Sequence, residues 1–579
     1  MSTNTDVDRP AGRTQRQINR DLLVWIPVLT GVLSLGWYAT IANGGGDLAA
    51  QDAWTAFVAR YPTSAYDLSW YGGMHPMSYS VVAPYIMSAL GVRTTLMLAD
   101  ALSAALFTAI LLRLPLRQDL AGPALLGVCG IVGNLLSGRA TFALGTVFAL
   151  CAVAVVFCWP HRWISWRRSQ IAATALFAAL ATMSSPVAGL FLGLLAAALF
   201  LQKRWVEALS LGLAPTVVVL LLTWAFPFSG VQPMPFGSTL IPVALSVASF
   251  LVVPQDWKTV RITSVIYGLS VLLAWLIPSQ IGSNITRMAL MFAGVVLVAA
   301  LPRVAPRGRK WQVTVVCLAL FVSWVGAKTF SDVARTRPEQ LWTSGLTPLL
   351  SELEAEHAEQ GRVEVIPVRS HREASALAPY VNLARGWNRQ ADAERNPLFY
   401  DKGLNTETYG QWLDRWAVHL VVVANEQPDS AARQEHSLVQ QGLPYLNLAW
   451  SDRNWKVYRV DTPTPLAEPD TQVQRAGQDE LTLDVRKAGR ILVRIPYSPW
   501  LSLVDERGGR LDAPPENTPS IDSAYTSEVF GNVNGCLIEN DQDSEGDRWT
   551  TLVAPEPGTY RIAARYGLPR GTPCPDWLK

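Results

Sequence analysis

An aspartate held between glycines and an apolar helix is the residue of this chain best placed for acid–base chemistry. The segment Gly44-Gly45-Gly46-Asp47-Leu48 follows directly after the first long apolar run. Glycine permits tight turns and close backbone approach, and a carboxylate there can accept the proton of a hydroxyl nucleophile. The alternative is that Asp47 caps the helix predicted over 48–60, because Asp is a favoured N-cap residue. The two roles do not exclude each other.

Three further polar residues accompany it as candidates for support. Asp52 follows about one turn beyond Asp47 and either shares its work or lies on a solvated face. His75 precedes a proline and either binds sugar or phosphate or has a structural role. Asp100 lies inside an apolar run, where an acidic residue marks function by default; pairing with Arg93 is the alternative.

Two arginines at the ends of apolar runs are candidates for binding an anionic group. Arg139 lies in the short loop SGRATF, and Arg287 follows Ser283-Asn284-Ile285-Thr286. A guanidinium binds phosphate in bidentate fashion. The alternative for Arg139 is an interfacial side chain that extends toward the headgroups.

The cysteines separate into two groups. Four lie in apolar segments, whereas Cys536 and Cys574 are the only two in the polar C-terminal half. These two form a disulfide if that half lies in an oxidising compartment, although spacing alone does not fix the pairing. No CxxC, HExxH or similar metal-binding spacing occurs in the sequence.

The elements that position these residues are mostly membrane helices. Of 579 residues, 50% are hydrophobic and 16% are charged, compared with about 25% charged in ordinary globular domains. Apolar runs alternate with short loops over 22–330, and the chain after 338 resembles ordinary soluble protein. The net charge of +2, without a basic stripe outside the membrane loops, argues against a nucleic-acid partner.

Eleven spans are predicted, since about 20 apolar residues cross a bilayer. They are 22–43, 95–112, 121–136, 142–160, 170–184, 187–201, 206–225, 239–254, 262–278, 286–301 and 311–329. Basic residues concentrate in the N-terminal tail and in alternate loops, whereas the opposite loops hold only Arg60, Arg93, Arg139 and Arg287. The positive-inside rule then places the tail, 1–21, in the cytoplasm and everything after Phe330 outside it.

The apolar stretch 76–91 is the exception to the hydropathy pattern. Counting it as a span would put every later basic loop outside. It is therefore predicted to be an interfacial or re-entrant helix in a large first outer loop, 44–94, that forms part of a site.

The C-terminal half is predicted to contain two extracytoplasmic domains. Over 331–460 helical and strand patterns alternate, as in a small α/β domain, with strands predicted over 363–368, 419–424 and 455–460. The prolines between 463 and 469 mark a linker. Over 461–579 short strands with turn signals between them predict an antiparallel β-sandwich. Its aromatic residues either stack on sugars or fill the core; they are Tyr497, Trp500, Trp549 and Tyr560.

The order of these features resembles the GT-C superfamily, whose members are polytopic glycosyltransferases that use polyprenyl-phosphate-linked sugars. The likeness lies in an acid just after the first span, a loop with an interfacial helix, and several short motifs. In the membrane half these motifs are His75-Pro76 with Tyr79 and Pro84, the SGRATF loop, and Ser184-Ser185-Pro186. In the polar C-terminal half they are the segments RVEVIPV, SHREASALAPYVNLARGWNRQ and NPLFY. These C-terminal segments are similar to the outer domain of large bacterial GT-C-like membrane proteins.

The resemblance implies that Asp47 activates the hydroxyl of an extracytoplasmic glycan or cell-envelope acceptor, with Tyr79 among the supporting residues. The donor would be a polyprenyl-phosphate sugar, whose lipid phosphate Arg139 and Arg287 would bind, and the configuration would invert. Many members of the superfamily carry a second acid in the second outer loop, where this chain has only Arg139. That difference weakens the case for a divalent metal, which needs several oxygen ligands.

Two other classes of function remain open. A secondary transporter of the MFS type would show internal hydropathy repeats and spans broken at matching positions, and no such repeat is found. A non-catalytic membrane scaffold would have no functional need for Asp47.

Overall fold

The computed structural model of the protein describes residues 15–42, 46–75, 80–114, 120–159, 167–228, 230–336, 345–514 and 534–576. The chain divides into two compact units. The membrane unit comprises 1–42, 93–221 and 233–331. The second unit, called the outer unit after its predicted location, comprises 43–92, 222–232 and 332–579. The first outer loop therefore belongs to the same unit as the C-terminal half.

Eighteen α-helices lie within these described ranges. They are α1 (Gln15–Thr40), α2 (Leu48–Arg60), α3 (Ala83–Leu90), α4 (Val92–Arg113), α5 (Ala121–Leu136), α6 (Ala140–Cys158), α7 (Arg167–Ser184), α8 (Pro186–Leu201), α9 (Trp205–Ala225), α10 (Phe236–Val252), α11 (Lys258–Leu276), α12 (Thr286–Ala300), α13 (Arg309–Thr336), α14 (Leu346–Ala355), α15 (Arg372–Leu377), α16 (Arg389–Arg395), α17 (Thr406–Arg415) and α18 (Arg433–Gln441).

Twelve β-strands lie in the same ranges, all of them in the outer unit. They are β1 (Arg362–Val365), β2 (Val418–Ala424), β3 (Leu446–Ser451), β4 (Trp455–Val460), β5 (Ala467–Glu468), β6 (Thr471–Ala476), β7 (Glu480–Val485), β8 (Gly489–Pro496), β9 (Leu501–Leu503), β10 (Cys536–Glu539), β11 (Trp549–Ala554) and β12 (Gly558–Ala564).

Each of the eleven predicted spans falls on a helix, namely α1 or one of α4 to α13. Among the described residues, seven helices are long and apolar enough to cross a membrane: α1, α4, α6, α9, α11, α12 and α13. Three more, α5, α8 and α10, are apolar but shorter. The chain is a multi-pass membrane protein, and the number of eleven crossings remains a prediction.

The membrane helices pack closely where small residues face a neighbouring helix. Gly130 of α5 lies against α12, where a Cβ added to the glycine would be 2.8 Å from the Cα of Met291. Gly294 of α12 is covered by the ring of Phe321 on α13. Helices in a bilayer associate largely through such close packing, because lipid tails are as apolar as the side chains they replace.

Within the outer unit, the helices α14 to α18 and the strands β1 to β4 form an α/β domain. Its sheet has the order β1-β2-β4-β3, with β1 parallel to β2 and the other pairs antiparallel. The strands predicted over 363–368, 419–424 and 455–460 are present as β1, β2 and β4. The sequence patterns did not predict β3, α15 or α16.

Two antiparallel sheets follow, with the orders β10-β11-β8-β5 and β6-β7-β12-β9, and they share one hydrophobic core. A strand-rich C-terminal domain was predicted, although β5 lies within the stretch interpreted as linker. Cys536 and Cys574 are joined by a disulfide. Trp500 and Trp549 are 8% and 7% exposed, so these two aromatics belong to the core and not to a sugar-binding surface.

The first outer loop contains the helices α2 and α3. At 1.5 Å per residue the eight residues of α3 extend about 12 Å, far less than the thickness of a bilayer. One face of α2 packs through Trp54 on the core of the α/β domain, and another packs through Phe57 on the core of the two antiparallel sheets. The loop is thus a structural part of the outer unit.

The predicted orientation can be tested with exposed residues on both sides. In a background lacking the four free cysteines, Lys402→Cys should react with a membrane-impermeant maleimide in intact cells. Arg168→Cys, on a loop predicted to be cytoplasmic, should react only after lysis; both wild-type side chains are exposed. The opposite pattern of labelling would overturn the orientation.

Candidate active site

Asp47 lies at the N-cap position immediately before α2, but its side chain does not cap the helix. Its backbone is helical, with φ −90° and ψ −11°, and its side chain makes no capping hydrogen bond. An N-cap side chain reaches the first amides from a non-helical, usually extended, backbone, which explains why the capping interpretation is wrong. The carboxylate is partly exposed, and the Asp47 carbonyl accepts a hydrogen bond from Nε2 of Gln51 at 3.1 Å.

The peptide bond that precedes Asp47 is held by a tryptophan from the α/β domain. Nε1 of Trp387 donates a hydrogen bond to the carbonyl oxygen of Gly46 at 2.6 Å. That carbonyl belongs to the same rigid, planar peptide unit as the Asp47 nitrogen. The indole therefore fixes the orientation of the backbone from which the Asp47 carboxylate extends.

Asp52 anchors the next turn of α2. Its Oδ2 lies 2.7 Å from Nη1 of Arg372, and these side chains are 20% and 13% exposed, respectively. Asp52 is therefore not on a solvated face, which was one of its two interpretations. Arg372 begins α15, so this ion pair joins α2 to the segment SHRE of the α/β domain.

The ring of Trp387 is itself confined by two neighbours. The imidazole of His371 stacks on it with ring centroids 3.3 Å apart and an interplanar angle of 8°. The guanidinium carbon of Arg389 lies 5.1 Å from the same ring, and Arg389 Nη1 pairs with Asp429 Oδ1 at 2.8 Å. These contacts leave the indole little freedom to turn away from Gly46.

A buried arginine fixes the segment RGWNRQ that carries Trp387. Arg385 pairs with both carboxylate oxygens of Asp392, at 3.0 and 2.9 Å, and with Glu435 at 2.9 Å. Glu364 lies 3.4 Å from the same guanidinium. Burial raises the pKa of Glu364 well above its usual range and also raises that of Glu435.

The rest of that segment has local roles as well. Asn388 caps α16, with its side chain accepting hydrogen bonds from the amides of Gln390 and Ala391 at 3.1 and 3.2 Å. Gly386 faces the indole of Trp70, where a Cβ would approach within 2.6 Å. The segment 370–390, whose sequence resembles that of other membrane proteins, is therefore the part of the α/β domain that supports Asp47.

A second buried arginine fixes the other end of the first outer loop. Arg362 is 0% exposed and donates to the carbonyls of Gly72 at 3.1 Å, Trp416 at 2.7 Å, and Arg494. Burial lowers its pKa to about 9, so it stays charged at neutral pH. Gly72 has φ +64° and passes so close that a Cβ would lie 2.8 Å from the guanidinium carbon, and both conditions favour glycine.

His75 is buried, and both of its ring nitrogens contact protein groups. Its Nδ1 lies 2.8 Å from the Ala65 carbonyl and its Nε2 lies 2.9 Å from Ser498 Oγ. Burial lowers its pKa to about 4, so the ring is neutral at pH 7. Tyr79, the other residue of this motif with a predicted supporting role, lies outside the described residues.

In the membrane unit, the two arginines predicted to bind phosphate are associated with one end of α6. Arg139 is the N-cap residue of α6. The guanidinium carbon of Arg287, a residue that is 8% exposed, lies 5.2 Å from the ring of Phe142 in the first turn of the same helix. Asn134 Nδ2 donates to the Arg139 carbonyl at 3.4 Å, which holds the loop.

The membrane unit also contains buried polar groups at a corner between two of its helices. Ser184 and Ser185 form the corner between α7 and α8, are 0% exposed, and their hydroxyls have no hydrogen-bond partner in the part of the chain that the structure describes. A Cβ added to Gly145 of α6 would lie 3.0 Å from the Cβ of Ser185. The corner therefore packs directly on α6.

Asp100 is buried inside α4. It is 1% exposed, and its Oδ2 has no hydrogen-bond partner among the described residues. Nε of Arg93, its suggested partner, donates to the carbonyl of Ala42 at 3.2 Å. Asp100 is thus a membrane-buried acid whose role stays a prediction.

Sequence reasoning assigned no role to Arg362, Arg372 or Trp387, although all three lie in or next to the quoted motifs. A tryptophan flanked by two arginines and followed by a helix-capping asparagine was the available signal. Their partners are about 290 to 340 residues away along the chain, which sequence patterns do not reveal. Among the described residues, no three His, Cys, Asp or Glu side chains are grouped to hold a metal ion.

Three solved structures are similar to the chain. The arabinofuranosyltransferase AftD from Mycobacteria aligns with 81% of this chain and 41% of its own, at 13% identity and a TM-score of 0.44. A mutant of AftD aligns with 78% of this chain and 42% of its own, at 13% identity and a TM-score of 0.45. ArnT from Cupriavidus metallidurans, in a structure bound to undecaprenyl phosphate, aligns with 75% of this chain and 97% of its own, at 11% identity and a TM-score of 0.38.

The chain thus spans less than half the length of AftD. A family described as a domain of unknown function (DUF8823) matches residues 468–579. No curated protein matches the sequence.

The hold of Trp387 on the Asp47 backbone can be tested by removing one hydrogen bond. Trp387→Phe keeps a ring that stacks on His371 but lacks the N–H group that Gly46 accepts. Loss of such a bond is worth about 1 kcal/mol, so amide hydrogen exchange over 46–51 should accelerate about fivefold. Trp450→Phe, on β3, is the control and should leave that exchange unchanged; equal exchange in both variants would contradict the proposed hold.

Proposed function

We propose that this protein is a membrane glycosyltransferase that moves a sugar from a polyprenyl-phosphate donor to an extracytoplasmic glycan or cell-envelope acceptor. The observation that carries the proposal is the support of Asp47. Its carboxylate is not used to cap α2, its backbone is held by Trp387, and its helix is held by the pair Asp52–Arg372. The sequence resemblance to the GT-C superfamily supports the same reaction.

In the proposed reaction Asp47 is the general base. The acceptor hydroxyl oxygen attacks the anomeric carbon of the sugar while the bond from that carbon to the phosphate oxygen breaks. The hydroxyl proton passes to the Asp47 carboxylate, and polyprenyl phosphate leaves with the bonding electron pair. Attack opposite to the leaving group inverts the configuration at the anomeric carbon.

The support of Asp47 matters because a general base must be within hydrogen-bond reach of the proton, about 2.6–3.2 Å between heavy atoms. A misplacement of about 1 Å can cost a factor of about 10² in rate. A carboxylate that follows consecutive glycines would otherwise vary in position, since glycine adopts many backbone conformations. Trp387 and Arg372 are therefore positioning residues in this proposal.

Arg139 and Arg287 are proposed to bind the lipid phosphate. The leaving phosphate gains negative charge as the glycosidic bond breaks, and donors placed in advance stabilise that charge. Packing of Arg287 against Phe142 orients the planar guanidinium, whose fork of N–H donors matches the geometry of a phosphate. Two guanidiniums match a phosphate that leaves with a charge approaching −2.

Asp47→Asn is the direct test of the base. Asparagine keeps the shape of the side chain, but the amide cannot accept the proton, so transfer should fall by about 10²–10⁴-fold. The measurement is release of polyprenyl phosphate by the purified full chain from a panel of synthetic polyprenyl-phosphate sugars. Asp401→Asn, which changes an exposed carboxylate of the outer unit, is the matched control and should be silent.

Transfer by Asp47→Asn at the wild-type rate would remove Asp47 as the base. A non-catalytic scaffold predicts a different result, namely no release by the wild-type chain from any donor of the panel.

Arg139→Lys and Arg287→Lys test the phosphate contacts separately. Lysine keeps the charge but loses the bidentate fork, so the KM for the donor should rise about tenfold, as expected for one lost charged hydrogen bond of about 1.4 kcal/mol. The exposed Arg168→Lys serves as control. An unchanged KM in both variants would exclude these arginines as phosphate ligands.

A further inference from the structure

A basic cavity lies at the far ends of the membrane helices from Arg139 and Arg287. It has a volume of about 420 Å³ and is formed where α10 ends, α11 begins, α12 ends and α13 begins. Arg287 is in the first turn of α12, whereas the cavity is lined by Arg303 just beyond the end of that helix. The 15 residues of α12 extend about 22 Å, so the cavity is distinct from the proposed phosphate site.

Four cationic side chains line the cavity: Arg261, Arg303, Arg309 and Lys310. The acid facing them is Asp256, whose Oδ2 lies 3.2 Å from Nη1 of Arg303. That pair is partly exposed, at 35% for Arg303 and 65% for Asp256. One carboxylate neutralises one of the four charges, so the cavity keeps a strongly positive potential that an anion would satisfy.

Two of the guanidiniums are held in place before any ligand binds. Arg261 donates to the Val253 carbonyl at 3.0 Å, and its guanidinium carbon lies 4.5 Å from the ring of Phe250. Arg303 lies 5.8 Å from the ring of Trp257. A guanidinium has five N–H donors, so each retains donors for an anion after making these contacts.

Arg309 and Lys310 add to the same potential from the start of α13. They are the first two residues of that helix, where the macrodipole is already positive. Basic side chains at a helix N-terminus are repelled by the helix dipole, and here also by the other cations of the cavity. A bound anion would reduce that repulsion. The cavity thus groups positive charges whose mutual repulsion a bound anion would reduce.

The walls of the cavity favour an anion attached to a lipid over a free one. Val252, Val253, Val304 and Ala305 line it beside the charges. On α10 the adjoining Phe250 and Leu251 are 36% and 51% exposed, as expected for side chains that contact acyl chains. Basic pockets between helix ends lie at the depth of lipid headgroups and bind anionic ones.

We propose that this cavity binds the phosphodiester headgroup of an anionic phospholipid. Arg261 and Arg303 contact the phosphate, Arg309 and Lys310 supply further charge, and the valines contact the glycerol end of the acyl chains. This binding site is separate from the transfer reaction, and its test does not depend on catalytic activity.

The test is native mass spectrometry of the full chain with phosphatidylglycerol and, separately, with phosphatidylcholine. The wild-type protein should retain phosphatidylglycerol at least tenfold more tightly. Arg309→Gln/Lys310→Gln should lower that affinity about 30-fold, since each basic residue near an anionic lipid contributes about fivefold. Its affinity for phosphatidylcholine and its unfolding temperature in phosphatidylcholine should not change, because both side chains are exposed.

The matched control is Arg167→Gln/Arg168→Gln. These residues are also two exposed basic side chains at the start of a membrane helix, α7, but they do not line the cavity. An equal loss in both double variants would show general attraction to the headgroup surface and would overturn the site. So would equal affinity for the two lipids, or displacement of phosphatidylglycerol by inorganic phosphate at a concentration similar to that of the lipid, which would indicate a site for free anions.

Discussion

The buried guanidinium of Arg362 is the constraint on which the outer unit depends. Burial of this charge is tolerated because the guanidinium donates hydrogen bonds to three backbone carbonyls in place of water. These carbonyls come from distant parts of the chain and belong to Gly72, Trp416 and Arg494. A buried charge without such partners is very costly. The first outer loop, the α/β domain and the antiparallel sheets must therefore assemble together, which makes the loop after the first span part of a domain that begins after residue 331.

The same principle extends outward from the core to Asp47. Arg385 fixes the segment RGWNRQ by pairing with buried carboxylates. Trp387 of the same segment donates a hydrogen bond to the Gly46 carbonyl. The contacts thus lead from buried ion pairs to Trp387, and from Trp387 to the backbone of Asp47, which is a partly exposed residue. The ion pairs of Arg385 restrict the motion of this segment, and a general base must be held in a defined position.

The sequence was sufficient for features that depend on neighbouring residues. The positions of the membrane helices follow from apolar runs, and β2 and β4 follow from their composition. Helices of six and seven residues, such as α15 and α16, are too short to show a periodic pattern. The backbone of Asp47 could not be predicted, because its helical φ and ψ occur in a segment fixed by Trp387, 341 residues away. The ion pair of Asp52 was missed for the same reason.

The chemistry of the two proposed substrates matches the two units in which the candidate residues lie. A polyprenyl phosphate is anchored by its chain in lipid, so side chains that recognise its phosphate belong on membrane helices, as Arg139 and Arg287 do. An acceptor glycan is soluble in water, so the base that activates its hydroxyl belongs on a unit folded in water, as Asp47 does. A transporter would need its binding residues within the membrane helices and would gain nothing from an outer-domain tryptophan that orients one carboxylate.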